Sequence, residues 1–296
     1  MTNKAQLSGW LFGLSAFLWW GLMPIYYKLI NHVDPAEILA HRIIWSIPVT
    51  LLLMALLNKR VRVISILKDR HLLLGLFIST FFICTNWYIF TWAVTHNNIL
   101  ATSLGYFINP IISILMGVII LGEKLEKLQW AAVVCVILGV ANQAFNFGEI
   151  PWIALSLAVS FAIYGLVRKQ LAVEPLNGFL IETTLALPLA AGYVFWIGLE
   201  NSASFLHTGN KTDLLLLAGG IITAVPLILF AIAVKKIPLS GIGFLQFIAP
   251  SMTFILATQA YNEELNLQQL LSFIFIWVGL GLYLFEPINM YFKKKV

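Results

Sequence analysis

Phe107-Ile108-Asn109-Pro110 and Phe247-Ile248-Ala249-Pro250 stand 140 residues apart and close on the same proline. At that offset Val33-Asp34-Pro35 also falls on Val173-Glu174-Pro175, and Pro48 on Pro188. Phe90, Ala93 and Val94 fall on Phe230, Ala233 and Val234, while Glu123, Leu125 and Gln129 fall on Glu263, Leu265 and Gln269; Gly139 falls on Gly279. Apolar matches are cheap in so apolar a chain, but prolines are not. The chain has 11 of them, and chance would pair about 0.2 at one offset. Three pairs coincide, so the chain is read as an internal repeat.

Outward from that repeat, composition supplies the solvent. Of 296 residues 60% are hydrophobic and 10% charged, against about 25% charged in a soluble domain. A span needs about 20 mostly apolar residues. Ten such runs are expected, at 7–30, 35–57, 72–95, 99–121, 128–146, 150–168, 176–199, 213–234, 239–260 and 268–286. The first is too long for a cleaved signal and lacks a small-residue cleavage site; it continues through Pro24, Tyr26, Tyr27 and Lys28.

Basic residues orient the spans. Lys4, then Lys59, Arg60, Arg62, Lys68 and Arg70, then Lys124 and Lys127 fall on one side. Arg168 and Lys169, Lys235 and Lys236, and Lys293, Lys294 and Lys295 join them, 15 of the 18 basic residues. Only Lys28, Arg42 and Lys211 fall elsewhere, so both termini are expected in the cytoplasm. The net charge of +5 is thus an orientation signal rather than a nucleic-acid patch. The expected fold is an all-α membrane protein of ten transmembrane helices, in two five-helix units, 1–146 and 147–296. An odd number of spans per unit inverts the second against the first. Lys124 and Lys127 accordingly become Glu264 and Leu267 in the matching loop. Inverted repeats are a common transporter architecture, with the substrate site near the midplane.

Arg42 and Glu182 are the charges that lie deep in their spans, at equivalent repeat positions and with opposite sign. A charge near the bilayer centre costs at least about 2.5–3.5 kcal/mol, which makes both functional candidates. Three readings stand for Arg42: a bridge to Glu182, snorkelling or capping of a neighbouring helix, or substrate binding and gating. Side chains lean toward the N-terminus of their own helix, which points this pair apart. Glu182 is the candidate for proton coupling, with His41 second, or else a hydrogen-bonded packing histidine. Asn86, Trp87 and Tyr88 lie mid-span, Tyr106 and Asn109 approach Pro110, and Gln246 approaches Pro250. The two prolines are expected kinks beside a central cavity. Trp45 and Tyr164 are candidate aromatic walls, and for Asn86 interhelical bonding is the plain alternative. Glu123 and Glu263 read as caps at the entry to the helix that follows each.

There is no HExxH, GxSxG or GxGxxG motif, and Cys84 and Cys135 lie inside apolar runs. No metal, cofactor or enzymatic activity is expected. The expected partners are a small-molecule substrate and membrane lipid; lipid scrambling and intramembrane catalysis are the alternatives to transport. The run His41-Arg42-Ile43-Ile44-Trp45-Ser46, the stretch from Asn86-Trp87 to Asn109-Pro110, and Gly122-Glu123 resemble the RarD family. So do Tyr164 to Lys169, Ile181-Glu182-Thr183 and Phe244 to Pro250. The resemblance covers nearly the whole chain. It implies membership of the drug/metabolite transporter superfamily, paired EamA domains, a bacterial inner membrane and permease activity.

Overall fold

The computed structural model describes residues 3–96, 99–145, 152–260 and 267–293. The unit boundary at 146/147, Glu263, Glu264, Leu265, Lys294 and Lys295 lie outside the described residues. Thirteen helices and no strand occur among those described. They are α1 (Asn3–Gly21), α2 (Met23–Leu29), α3 (Pro35–Leu56), α4 (Val63–Lys68), α5 (Arg70–Thr95), α6 (Ile99–Ile119) and α7 (Lys127–Phe145). After these come α8 (Trp152–Gln170), α9 (Pro175–Leu199), α10 (Asn210–Lys236), α11 (Leu239–Gln246), α12 (Ile248–Ala260) and α13 (Leu267–Lys293). Among the described residues eight segments are long and apolar enough to cross a membrane, α1 with α2 and α11 with α12 each counting as one; Lys127–Asn142 and Leu270–Phe285 are shorter apolar helices. The chain is a multi-pass membrane protein.

Local chemistry sets the boundaries. Asp34 accepts from the amides of Ala36 (2.8 Å) and Glu37 (3.3 Å) and opens α3, with Pro35 in the first turn. Pro175 opens α9 at the equivalent place. A first-turn proline lacks only an N–H that has no helical partner anyway. The same rule breaks two expected spans. The run 7–30 divides at Leu22, next to Pro24, and the run 239–260 divides at Phe247, with Pro250 in the first turn of α12. By contrast, α6 runs through Pro110 without division.

Helix packing follows the repeat. Each of α3, α6 and α7 packs on its repeat-mate, namely α9, α11 and α13. The other large contacts also join the halves: α6 and α5 lie on α8, and α1 and α3 on α10. The mates α3 and α9 run antiparallel. Asp34 at the start of α3 receives a bond from the Tyr193 hydroxyl near the end of α9 (3.0 Å). At their other ends Asn177 of α9 accepts from the Arg62 amide (2.7 Å) and donates to the Arg60 carbonyl (3.2 Å), just past α3.

Glycines permit the closest approaches. A Cβ on Gly220 of α10 would lie 2.4 Å from the carbonyl carbon and oxygen of Trp45 in α3. On Gly243 of α11 it would lie 2.7 Å from the Pro110 carbonyl oxygen. A Cβ on Gly192 meets nothing within 4 Å. Gly220→Val is expected to cost about 1–3 kcal/mol through overpacking, whereas Gly192→Ala should add about 0.5–1 kcal/mol. Melting of the purified protein in detergent checks this; equal midpoints for the two variants would contradict the backbone contact.

Candidate functional site

The two span charges do not meet. Arg42 is buried on α3, where its Nε donates to the Thr223 hydroxyl (2.8 Å) and its Nη1 to the Tyr27 hydroxyl (2.6 Å). The guanidinium also lies 5.9 Å from the ring centres of both Tyr27 and Trp87. Glu182 on α9 instead accepts from the Ser79 hydroxyl of α5 (2.5 Å) and from the Tyr164 hydroxyl of α8 (3.5 Å). Its counter-ion is Arg168, with Nη1 3.6 Å from Oε1. Each charge leans toward the start of its own helix, which carries the pair apart.

Arg168 departs from its sequence assignment. It was placed with the basic residues of a loop, but it closes α8 with 1% of its surface exposed. It lies across the backbone of Gly178, where a Cβ would collide with the guanidinium. Its Nη2 donates to the Pro175 carbonyl (3.3 Å), while Nε and Nη1 make no hydrogen bond. No sequence signal separated it from Lys169 beside it. The repeat offset pairs Arg168 with Lys28, at the end of α2.

Around Glu182 lies a void of about 10 Å³, walled by Ile83, Cys84, Trp87, Tyr164, Phe179, Thr183 and Leu227. That is room for about one water. Trp87 therefore borders this void and also touches Arg42. Tyr164 is buried and stacks on Phe230 at 5.9 Å between ring centres.

The other candidates divide by position. Tyr106 lies near Tyr27 and Arg42 and keeps 52% of its surface accessible. Phe90 bridges it to Tyr27, with 6.2 Å between ring centres at each step. Tyr88 is exposed; it follows Trp87 by one residue, about 100° around the helix, and so faces another way. Asn86 donates to the Leu157 carbonyl (2.8 Å) and the Ser160 hydroxyl (3.1 Å), tying α5 to α8. Asn109 and Gln246 are buried and share Ser113, whose hydroxyl donates to Asn109 (3.2 Å) and receives from Gln246 (3.3 Å).

His41 and Trp45 belong to a separate cluster. His41 accepts from the Trp45 indole (3.2 Å) and packs on Phe205 at 4.7 Å. Beside it the buried Glu37 accepts from the amides of Ser204 (2.8 and 3.0 Å) and Phe205 (2.9 Å). Glu37 was missed because it sits in a first turn, where acids are ordinary. Glu123 also differs from expectation. Its carboxylate takes the amides of Leu239 (2.6 Å) and Ser240 (2.9 Å), capping α11 of the other half rather than the next helix.

A sequence profile described as the EamA-like transporter family matches twice, over residues 7–142 and 150–285. The chain belongs to the EamA-like transporter family. Among its relatives, Protein RarD of Escherichia coli is 41% identical over 288 residues, covering 97% of each chain. An uncharacterized transporter of Bacillus subtilis, YojE, is 38% identical over 292 residues, 98% of this chain and 97% of its own. A crystal structure at 18% identity superposes with a TM-score of 0.72, covering 93% of this chain and 97% of that one, which shows a shared fold. Membership of this family makes the protein a membrane transporter, so the buried charges belong to a transport protein.

Removing one member of a buried ion pair typically costs about 3–5 kcal/mol, because the other charge is left without a partner. Arg168→Met and Glu182→Gln are each expected to destabilise the protein by that order. The double variant should recover much of the loss. A melting double-mutant cycle in detergent measures the coupling; additive losses would show that the pair does not act as a unit.

Proposed function

We propose that the chain is an inner-membrane permease that exports a small metabolite, amino-acid-like compound or drug by alternating access. In this reading it has ten spans in two inverted five-helix units, 1–146 and 147–296, with both termini in the cytoplasm. The observation that carries it is the antiparallel pairing of α3 with α9, whose ends are fastened to each other by Asp34–Tyr193 and by Asn177 with Arg60 and Arg62. Two halves related in this way rock about a midplane and present one central site to each side in turn.

The site lies where Arg42, Trp87 and Tyr106 gather, with Glu182 and Tyr164 on the far side of Trp87. Asn86, Asn109 and Gln246 line the helix crossings beside it and supply hydrogen bonds as the crossings open. His41 and Trp45 support α3 from behind. Glu182 is the proton-coupling group: its counter-ion among the described residues is a guanidinium that always stays charged, so the carboxyl is the member of the pair that can take up a proton. A Pseudomonas aeruginosa relative, 29% identical over 275 residues, is named a chloramphenicol-sensitive protein. Amphenicols therefore belong among the compounds to test.

A melting screen in detergent against amino acids, nucleosides and amphenicols tests the binding half of the proposal. A ligand that binds the folded state raises the midpoint by mass action. The expected hit disappears in Trp87→Ala, and the absence of any hit would count against a small-metabolite cargo. Reconstituted transport tests the coupling. Glu182→Gln is expected to abolish the response to an imposed pH gradient, and an unchanged response would remove Glu182 from the coupling step. Alkaline phosphatase, active only outside the cytoplasm, is expected to be active when fused after Asn201 and inactive after Arg60. The reverse pattern would invert the topology.

A further inference from the structure

The repeat places Arg42 and Glu182 at equivalent positions, but only one of them is compensated. Glu182 has Arg168 and two hydroxyl donors. Arg42 has no acid among the described residues: no carboxylate pairs with it there, and its Nε and one N–H of Nη1 go to neutral hydroxyls. It is 9% exposed, so little of its surface is left to water. A guanidinium does not lose its proton in proteins, so the charge persists.

The surroundings of Arg42 are donor-rich. Among the described residues Thr223 and Tyr27 accept from Arg42 and show no further hydrogen bond, so each hydroxyl proton is open to give. Nη2 likewise shows no hydrogen bond among the described residues. Donors therefore gather around one fixed positive charge. From there the rings of Tyr27, Phe90 and Tyr106 follow in series, and Trp87 flanks the guanidinium.

We infer that Arg42, Tyr27 and Thr223 form the anion subsite of the transport site, and that the cargo is a monocarboxylate with a flat apolar body. The inference rests on the permease reading and narrows its substrate class. A single cation among neutral hydroxyls balances one negative charge; a doubly charged phosphate would leave an uncompensated charge of the opposite sign. A planar guanidinium edge matches the two oxygens of a carboxylate. The aromatic side chains take the apolar remainder.

The test pairs acids with their neutral amides. Purified full-length protein in detergent is melted with benzoate and indole-3-acetate, and with benzamide and indole-3-acetamide. The acids are expected to raise the midpoint by a few degrees, saturably, and the amides to leave it unchanged. Arg42→Gln should lose the acid response, and Tyr27→Phe, which keeps the charge, should weaken it several-fold. The Tyr27→Phe result decides the matter if Arg42→Gln does not fold. The inference fails if the amides act as well as the acids, if either variant responds like the parent, or if neither acid moves the parent's midpoint. In those cases a neutral nucleoside or amphenicol whose stabilisation disappears in Trp87→Ala would leave the permease reading standing without an anion subsite.

Discussion

Hydrocarbon offers no hydrogen bonds, so every helix end and every charge that approaches it must be satisfied by protein. In this chain the satisfying groups come from other helices, in two cases from the other half. Glu123 caps the start of α11. Lys169, at the end of α8, donates to the carbonyls of Val234 (3.1 Å) and Ile237 (2.6 Å), where α10 finishes. Lys235 of α10 returns the favour to the carbonyls of Lys169 and Leu171, where α8 finishes. Lys236 reaches Ser8 of α1 (2.9 Å). These bonds do more than orient the chain: they tie α8 to α10 within the second half, and Glu123 and Lys236 tie that half to the first.

This crossing concentrates the polar fastenings at helix ends, while the middle of the bundle is held by close apolar packing. Gly220 against Trp45 and Gly243 against Pro110 bring backbones together with nothing soft between them. Packed interiors of that kind switch between discrete arrangements rather than deform continuously. Of these end bonds, the Glu123 and Lys236 fastenings join the halves, whereas the Arg168–Glu182 pair and the Lys169 and Lys235 caps hold the second half together.

The fold was readable because its signals are strong and redundant. Proline register, apolar runs and the sidedness of lysine and arginine all point to a repeated helical bundle, and the profile match at 7–142 and 150–285 agrees with it. What the sequence hid was partner choice. Arg168 and Lys169 are adjacent and identical in sign, yet one is buried against Glu182 and the other caps α10. Only the rotation of α8 decides which does which. Glu123 could be recognised as a cap, but the helix it caps lies 116 residues away, and no local pattern encodes such a contact. Tyr88 and Trp87 differ by one step around α5, and that step separates an exposed ring from one that touches Arg42.

The opposite treatment of Arg42 and Glu182 is informative because the scaffold around them is so nearly symmetric. Two uncompensated charges would each cost several kilocalories per mole in a membrane, and two compensated ones would leave nothing for a polar cargo to gain. One of each resolves the conflict. The Arg168–Glu182 pair fastens α8 to α9 within the second half, at one end of the bundle. Arg42 is held by hydroxyls and aromatic faces, with no carboxylate beside it among the described residues. The repeat thereby treats its two equivalent positions differently, one charge paired with its opposite and the other ringed by neutral groups. The substitution at a single pair of equivalent sites, Arg in one half and Glu in the other, is enough to distinguish them.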